Sequence, residues 1–176
     1  MLSGTPFDNM RWSLIIVYLG LAVCFGACGS SGCLENSTTL PLAGLYSSST
    51  LQPISVDSLE IRGLGAPGDS LLLAPTRSTG SVYMPFRADY PSVSWVFAFR
   101  TEYLDYPELY DTLTFVYETI PYFASADCGA LYIYRVTEYS YTNHLIDSVA
   151  VTDSLFTNVD REQIQIYYRT AEDEEE

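Results

Sequence analysis

The sequence predicts an all-β protein, folded as an antiparallel β-sandwich or open barrel of about eight or nine short strands. Apolar and polar residues alternate with a period of two along many short runs, which is the pattern of a half-buried strand. Turn-forming residues separate the runs, and no stretch carries the apolar stripe of an amphipathic helix. We assign this domain to residues 40–170.

The alternating runs of the domain each predict one strand. Their apolar residues, in chain order, are Leu59 and Ile61; Leu71 and Leu73; Val82, Met84 and Phe86; Val93, Trp95, Phe97 and Phe99; Leu113, Phe115 and Tyr117; Leu131 to Tyr134; Val149 and Val151; and Ile164, Ile166 and Tyr168. Side chains that alternate in this way place one face of a sheet against a core and the other toward solvent.

A bacterial export signal is predicted over residues 1–27. Arg11 precedes an apolar run, and small residues follow that run before Cys28. The order of a basic residue, a short apolar run and small residues is that of a secretory signal. The run has about 12 residues, too few to span a bilayer, which needs about 20. Met10 is the expected true start, because the residues before it include an acidic group.

Cys28 is the cysteine that we expect to carry lipid. It follows the small residues Gly26 and Ala27, whereas Cys24 follows a bulky valine and Cys33 lies beyond two serines. Several acyl chains on one cysteine would hold the protein stably at a membrane, since each buried CH₂ contributes about 0.8 kcal/mol. The alternative is an ordinary cleaved signal that releases a free secreted protein.

The chain is strongly acidic, with 22 Asp and Glu against 8 Lys and Arg and a formal net charge of −14. Such a surface repels phosphate backbones, which excludes nucleic acid as a partner. It also lacks a basic patch for anionic lipid heads, so attachment to the membrane depends on the acyl anchor. Residues 28–39 are small and polar and predict a tether. Residues 171–176 predict an acidic disordered tail.

Two cysteines remain after processing and lipidation, Cys33 and Cys128. An even pair in an oxidising compartment predicts a disulfide. Closing a loop of nearly 100 residues would stabilise the fold by about 4–5 kcal/mol in the chain-entropy model. The alternatives are a free thiol, or a catalytic pair of Cys128 with His144, the one histidine of the chain. We expect His144 to be an exposed loop residue.

Tyrosine is abundant, with 15 residues in the sequence. Exposed aromatic loops in an envelope protein can stack on sugars or mark a protein contact. The alternative is packing at sheet edges, where tyrosine is favoured in any β-rich fold. The candidate binding residues are Tyr103, Tyr106, Tyr110, Tyr139 and Tyr141.

Aspartate followed by serine or threonine opens several apolar runs, at Asp57, Asp69, Asp111, Asp147 and Asp153. Aspartate accepts hydrogen bonds from the backbone that follows it, so we interpret these positions as turns. Ca²⁺ binding is the alternative, but Ca²⁺ takes six to eight oxygen ligands and no loop shows the dense spacing of a dedicated site. We therefore predict no metal and no cofactor.

Carboxylate pairs are the remaining catalytic candidates. Glu102 lies near Asp105, and Glu108 lies near Asp111. A glycoside hydrolase needs two carboxyl groups about 5–9 Å apart across a cleft, and loop spacing does not establish that geometry. Chance pairs are expected in so acidic a chain, so we predict no catalytic residue.

Several short motifs together resemble a small family of Bacteroidales lipoproteins, known as domain of unknown function 6452. The resemblance covers about residues 33–168 and implies a lipid-bearing cysteine, an all-β domain and a second cysteine pair, but no activity. The motifs are Cys33-Leu-Glu-Asn, Leu40-Pro-Leu, Asp57-Ser-Leu-Glu-Ile-Arg-Gly-Leu-Gly, Asp69-Ser-Leu-Leu-Leu, Asp111-Thr-Leu-Thr-Phe-Val-Tyr and Asp127-Cys-Gly.

The sequence therefore predicts a lipid-anchored cell-envelope protein without catalytic activity, acting as an accessory or interaction module. Its partner would be another envelope protein or a glycan, and a glycan-binding module that uses the tyrosine loops is the alternative. We expect the outer membrane, on its periplasmic face, because no run of acids follows Cys28 directly.

Overall fold

The structure, a computed structural model, describes residues 37–65, 70–75, 78–126 and 128–170. The predicted signal, the lipid-bearing Cys28, most of the tether and the acidic tail lie outside these residues. The described residues form ten strands in two sheets, with one 3₁₀ turn at Pro107–Leu109 and no α-helix. The sheets do not close into a barrel, so the all-β prediction is confirmed in its sandwich form.

The first sheet has four strands in the order β4-β1-β10-β8. Its strands are β1 (Leu42–Ser47), β4 (Ser81–Tyr83), β8 (Ile146–Val151) and β10 (Glu162–Tyr168). β1 and β10 are parallel, whereas the other pairs of this sheet are antiparallel. The prediction of a purely antiparallel fold missed this pair, because alternation shows which face of a strand is buried but not the direction of its neighbour.

The second sheet has six strands in the order β3-β2-β5-β6-β7-β9, all paired antiparallel. Its strands are β2 (Leu59–Gly63), β3 (Leu71–Leu73), β5 (Ser92–Phe99), β6 (Asp111–Ser125), β7 (Gly129–Tyr141) and β9 (Leu155–Phe156). The inward residues of both sheets share one core. Its largest fully buried apolar side chains are Phe97, Phe115, Phe156, Leu45, Leu59, Ile61, Met84, Leu113, Ile146, Ile164 and Ile166. Full burial of such side chains contributes about 1.5–3 kcal/mol each.

Two strands were not predicted. In β1 three consecutive residues, Ala43 to Leu45, are all buried, so the alternation breaks. Gly44 is covered because the carboxylate of Glu162 lies over it: an added Cβ would come within 2.0 Å of Glu162 Oε2. The other unpredicted strand, β9, has two residues, which is too short for a period-two signal.

β6 and β7 are longer than the short strands predicted, with 15 and 13 residues. β5 pairs with β6 only as far as Val116, so the rest of the hairpin continues as a two-stranded ribbon. Pro121 lies within this ribbon, paired with Tyr132. A proline has no N–H to donate, and here its strand has no neighbour on the β5 side that would need one.

Candidate binding cleft

A cleft of about 580 Å³ opens beside the beginning of β5. Its volume falls within the usual range of small-molecule sites. Two aromatic rings, one arginine, three serines and glycine backbone contribute to its wall, and none of these described lining residues is acidic. The lining residues are Gly63, Leu64, Gly65, Ser70, Leu71, Leu72, Pro85, Arg87, Tyr90, Ser92, Val93, Ser94 and Trp95.

One side of the cleft is formed by the segment that follows β4. Met84 anchors the start of this segment, because its side chain is fully buried and its N–H donates to Pro41 O at 2.8 Å. Phe86 anchors it again two residues later, with its ring 4.6 Å from that of Tyr117 and 5.4 Å from that of Tyr134. Aromatic pairs at such distances add to the stability from burial alone. The segment is therefore held firmly where it reaches the cleft.

Tyr117 fixes the backbone of Arg87. The Tyr117 hydroxyl accepts a hydrogen bond from Arg87 N–H at 3.1 Å and donates one to Arg87 O at 2.9 Å. Burial raises the pKa of Tyr117, so the hydroxyl keeps the proton that it donates at neutral pH. Beyond this clamp, the Arg87 guanidinium carbon lies 3.7 Å from the centre of the Tyr90 ring. A cation over an aromatic face at this distance is held by the ring quadrupole.

Arg87 differs from the other arginines that the structure describes, because it has no carboxylate partner among the described residues. Unpaired arginine is unexpected in a chain of net charge −14, where acidic groups are in excess. The other described arginines all form ion pairs: Arg62 and Arg100 with Glu60, Arg135 with Glu118, Arg161 with Asp153, and Arg169 with Asp147.

Trp95 also lines the cleft. Its side chain is 6% exposed, and its buried indole N–H has no hydrogen-bond acceptor among the described residues. A buried donor without an acceptor costs about 1–3 kcal/mol. Trp95 and Arg87 thus line the same cleft, Arg87 without a carboxylate partner among the described residues and Trp95 with a buried N–H that has no acceptor among them.

The tyrosines predicted for binding do not line this cleft. Tyr103 is 80% exposed, and Tyr106 is also exposed, both in the loop between β5 and β6. Tyr110 is half-buried, and its hydroxyl donates to Asp105 Oδ1 at 2.5 Å and contacts Arg100. Because of these partners Tyr110 is a structural residue of the loop rather than a free aromatic platform.

Tyr139 and Tyr141 lie at the end of β7, directly before the loop that leads into β8. Tyr139 packs its ring 6.2 Å from that of Phe115, and its hydroxyl donates to Val149 O at 3.3 Å. Tyr141 is half-buried against the core. The structure thus divides the five predicted tyrosines between a loop and a strand, and it favours the packing alternative for these two.

A catalytic pair of Cys128 and His144 is excluded by the topology. Cys128 precedes β7 and His144 follows it, and 13 extended residues span about 40 Å. His144 is exposed in a loop, as predicted. Cys128 is not a free thiol. Its predicted partner Cys33 lies outside the described residues, so that pairing stays a prediction.

Asp111 is a structural carboxylate and not half of a catalytic pair. It is 1% exposed and accepts four hydrogen bonds. These come from the Thr142 hydroxyl and the N–H groups of His144, Leu145 and Ile146, each at 2.8 Å. The prediction that Asp111 shapes its own local turn is therefore wrong, because its partners lie more than 30 positions away.

The other carboxylate predictions had mixed outcomes. Asp153 accepts a hydrogen bond from Leu155 N–H at 2.9 Å, so the turn interpretation is confirmed there. In the candidate pair with Glu102, Asp105 is engaged by Arg100 and Tyr110 instead. Hydrogen bonding by Tyr110, and then by Arg100, lowers the pKa of Asp105. Within the described ranges, no three His, Cys, Asp or Glu side chains come together as a metal-binding group.

Sequence analysis missed the three residues that define the cleft. It assigned Trp95 to the core, where most of its ring lies, and it gave no role to Arg87 or Tyr90. A usable signal was present: an arginine close to an aromatic-proline pair, Tyr90-Pro91, in a chain with few cations. The missing partner of Arg87 is visible only in three dimensions.

Fold and cleft together describe a β-sandwich protein with aromatic and cationic groups around an open cleft. The chain belongs to the Family of unknown function (DUF6452), whose model matches residues 58–168, more than half of the sequence. No curated protein and no solved structure matches the chain. Among the described residues, no helix has the length and apolarity needed to cross a bilayer.

Proposed function

We propose that this protein is a lipid-anchored cell-envelope module without catalytic activity, which binds an acidic glycan in the cleft beside β5. The observation that carries the proposal is the Arg87 guanidinium, which lines the cleft, lies over the Tyr90 ring and has no carboxylate partner among the described residues. The proposal keeps the interaction role predicted from the sequence and moves the glycan alternative away from the tyrosine loops.

A carboxylate on the ligand is favoured by Arg87. Guanidinium groups pair with carboxylates through two parallel hydrogen bonds, which gives both affinity and orientation. The rest of the protein is acidic, so it repels anions everywhere except where a cation stands unpaired. A ligand carboxylate would give Arg87 the partner that each of the other described arginines already has within the chain.

A sugar is favoured over a peptide by the remaining lining. Arg87 covers one face of the exposed Tyr90 ring, and a pyranose would stack on the other; Ser70 and Ser92 offer hydroxyl groups in the same lining. Aromatic faces combined with a few polar groups are usual in small-ligand sites. The described lining contains no carboxylate or histidine that would act as a general acid or base, which favours binding over hydrolysis.

Calorimetric titration of the full acylated protein in detergent tests the ligand class. The probes are tetragalacturonate and, as the matched neutral sugar, a galactose tetramer. We expect tetragalacturonate to bind at least about tenfold more tightly, and Arg87→Gln to remove that preference. Arg135→Gln is the control, because Arg135 is exposed, pairs with Glu118 and does not line the cleft. Equal binding of both probes, or tighter binding of an acidic tetrapeptide, would contradict the proposal.

The anchor is the second part of the proposal, and the sequence motif around Cys28 and the resemblance to Bacteroidales lipoproteins support it. Palmitate labelling of the wild type against Cys28→Ser tests the lipid, and protease accessibility of intact cells tests the periplasmic face of the outer membrane. We also propose the Cys33–Cys128 disulfide, which non-reducing peptide mapping would detect. A mature protein without acyl groups would overturn this part alone, since the cleft does not depend on it.

A further inference from the structure

We propose that the far end of the β6–β7 hairpin rests on the lipid layer that carries the anchor. We define this hairpin end as residues 119–126 and 128–134. The inference rests on the proposed acylation of Cys28 and adds a second, non-covalent contact with the membrane. Its partner is the interface between acyl chains and headgroups of a bilayer leaflet.

The hairpin end exposes aromatic side chains to an unusual degree. Phe123 is 66% exposed, and Tyr122 and Tyr132 are exposed as well. Pro121 and Ala130 add to the uncharged surface. Large exposed apolar groups clustered on a protruding element mark a contact surface in soluble domains. Here the ribbon extends beyond β5, so other strands of its sheet do not cover it on that side.

Charge is depleted in the same place. Between residues 119 and 134 the sequence has a single charged residue, Asp127, although 17% of the chain is charged. Tyrosine is favoured at membrane interfaces, where its ring meets acyl chains and its hydroxyl meets water. Phenylalanine contributes a wholly apolar ring to the buried side of such contacts. An acidic surface is repelled by anionic lipids, so this uncharged end is the part of the domain that suits the interface.

The described chain begins beside this end, within tether reach of the proposed anchor. The described chain begins at Ser37, and residues 37–40 line a cavity of about 410 Å³ together with Ala130, Leu131, Tyr132 and Tyr134. From Cys28 to Ser37 the chain can span at most about 32 Å, at about 3.3–3.6 Å per residue. The proposed Cys33–Cys128 disulfide would shorten the link between the lipid and the hairpin turn to five residues, about 18 Å when extended.

The opposite end of β6 supplies an internal control. β6 has 15 residues, which span about 50 Å. The loop that contains Tyr103 precedes β6, and the hairpin turn follows it. Tyr103 is even more exposed than Phe123, yet it lies in a loop with acidic neighbours. Exposure alone therefore does not distinguish the two ends, whereas distance from the anchor and local charge do.

Quenching of tryptophan by brominated lipid tests this arrangement. The acylated full chain is placed in vesicles of a three-to-one mixture of phosphatidylethanolamine and phosphatidylglycerol with brominated acyl chains. In a Trp95→Phe background, one variant carries Phe123→Trp and the control carries Tyr103→Trp. We expect fluorescence at position 123 to fall at least about twofold, because bromine quenches at contact, and fluorescence at position 103 to stay unchanged. Tyr132→Trp is the second reporter, should Phe123→Trp fail to fold.

The outcomes separate this inference from the proposed function. Intact mass of the same sample shows whether Cys28 carries acyl chains. An acylated protein with no quenching at positions 123 and 132, or with equal quenching at 123 and 103, would overturn the membrane contact and leave the anchor standing. A protein without acyl groups would overturn both.

Discussion

Two polar regions lie near opposite ends of β5: the surroundings of Asp111 and the cleft lined by Arg87. They differ in whether their polar groups have partners among the described residues. The Asp111 carboxylate is buried and receives four hydrogen bonds at 2.8 Å from the β7–β8 connection. The Arg87 guanidinium has no carboxylate partner among the described residues, and the Trp95 indole N–H has no acceptor among them.

The contrast is between a polar group whose hydrogen bonds the fold supplies and polar groups for which the described residues supply no partner. A buried charge is tolerated only where the fold satisfies it, and Asp111 is satisfied because four donors converge on its two oxygens. At the cleft, Tyr117 holds the backbone of Arg87 and the core holds Trp95, but the described residues offer no carboxylate to Arg87 and no acceptor to the Trp95 indole N–H. In the proposed function a ligand supplies the carboxylate that Arg87 lacks.

The largest expected effect on stability is at Asp111, the buried carboxylate that accepts four hydrogen bonds. Asp111→Ala should lower the free energy of unfolding by about 3–5 kcal/mol, because three backbone N–H groups and one hydroxyl lose their acceptor. Asp111→Asn keeps one acceptor oxygen and should cost about 2 kcal/mol. Urea unfolding of the two variants measures both values. A cost below about 1 kcal/mol for the alanine variant would show that water replaces the carboxylate.

A smaller effect on stability is expected at Tyr117, whose hydroxyl holds the backbone of Arg87 at the cleft. Tyr117→Phe removes the hydroxyl that bonds both N–H and C=O of Arg87, so it should cost about 1–2 kcal/mol of stability. It should also weaken tetragalacturonate binding by about three- to tenfold, because the backbone of Arg87 is no longer held in position at the cleft. Tyr134→Phe is the control, since its hydroxyl reaches only Phe86 O at 3.4 Å. Unchanged affinity in Tyr117→Phe would mean that Arg87 needs no clamp.

Tyr168 provides an unsatisfied group away from the cleft. It is buried, its hydroxyl has no hydrogen-bond partner in the part of the chain that the structure describes, and burial, with a smaller contribution from Asp111, raises its pKa. Tyr168→Phe should therefore raise the free energy of unfolding by about 1 kcal/mol at neutral pH. A raised tyrosine pKa gives stability that is present below the unfolded pKa near 10 and is lost at higher pH.

The dependence of unfolding on pH above neutrality provides a second test of Tyr168→Phe. Tyr168→Phe removes one group that must lose its proton, so unfolding should move to higher pH. Tyr167→Phe is the matched control, because its hydroxyl donates to Gln165 Oε1 at 3.0 Å and its loss should be slightly destabilising. An alkaline limb shared by wild type and Tyr168→Phe would contradict the assignment.

The smallest effect is expected in the loop that the sequence had favoured. Tyr103→Ala and Tyr106→Ala should change stability by less than about 0.5 kcal/mol, because both side chains are exposed. They should also leave tetragalacturonate affinity unchanged, since neither lines the cleft. A loss of affinity in either variant would move the binding site to this loop.

The sequence predicted the features that depend only on residues close together in the chain. Strands such as β5 and β10 were predictable because a single buried face imposes alternation on residues next to each other. β1 was not, because Gly44 is covered by the carboxylate of Glu162, which lies 118 positions along the chain. The all-β class followed from the many alternating runs, but the parallel pairing of β1 and β10 did not.

The candidate site was beyond the sequence for a related reason. Asp111 was recognised as a polar position at the start of a strand, yet its donors lie in another connection. The tyrosines were conspicuous by number, but their roles depend on whether a partner meets each hydroxyl. Arg87 stands out because it has no carboxylate partner among the described residues. Which side chains pair across a fold cannot be recognised from a local pattern in one sequence.

The most direct test of the central claim follows the Trp95 indole N–H by NMR during titration with tetragalacturonate. Trp12 lies within the predicted signal, so in the processed protein the indole of Trp95 gives the one side-chain resonance of its kind. We predict a saturable shift of that resonance in the wild type, and no shift in Arg87→Gln at the same concentrations. A resonance that stays unmoved in the wild type while the ligand binds elsewhere would contradict recognition at this cleft.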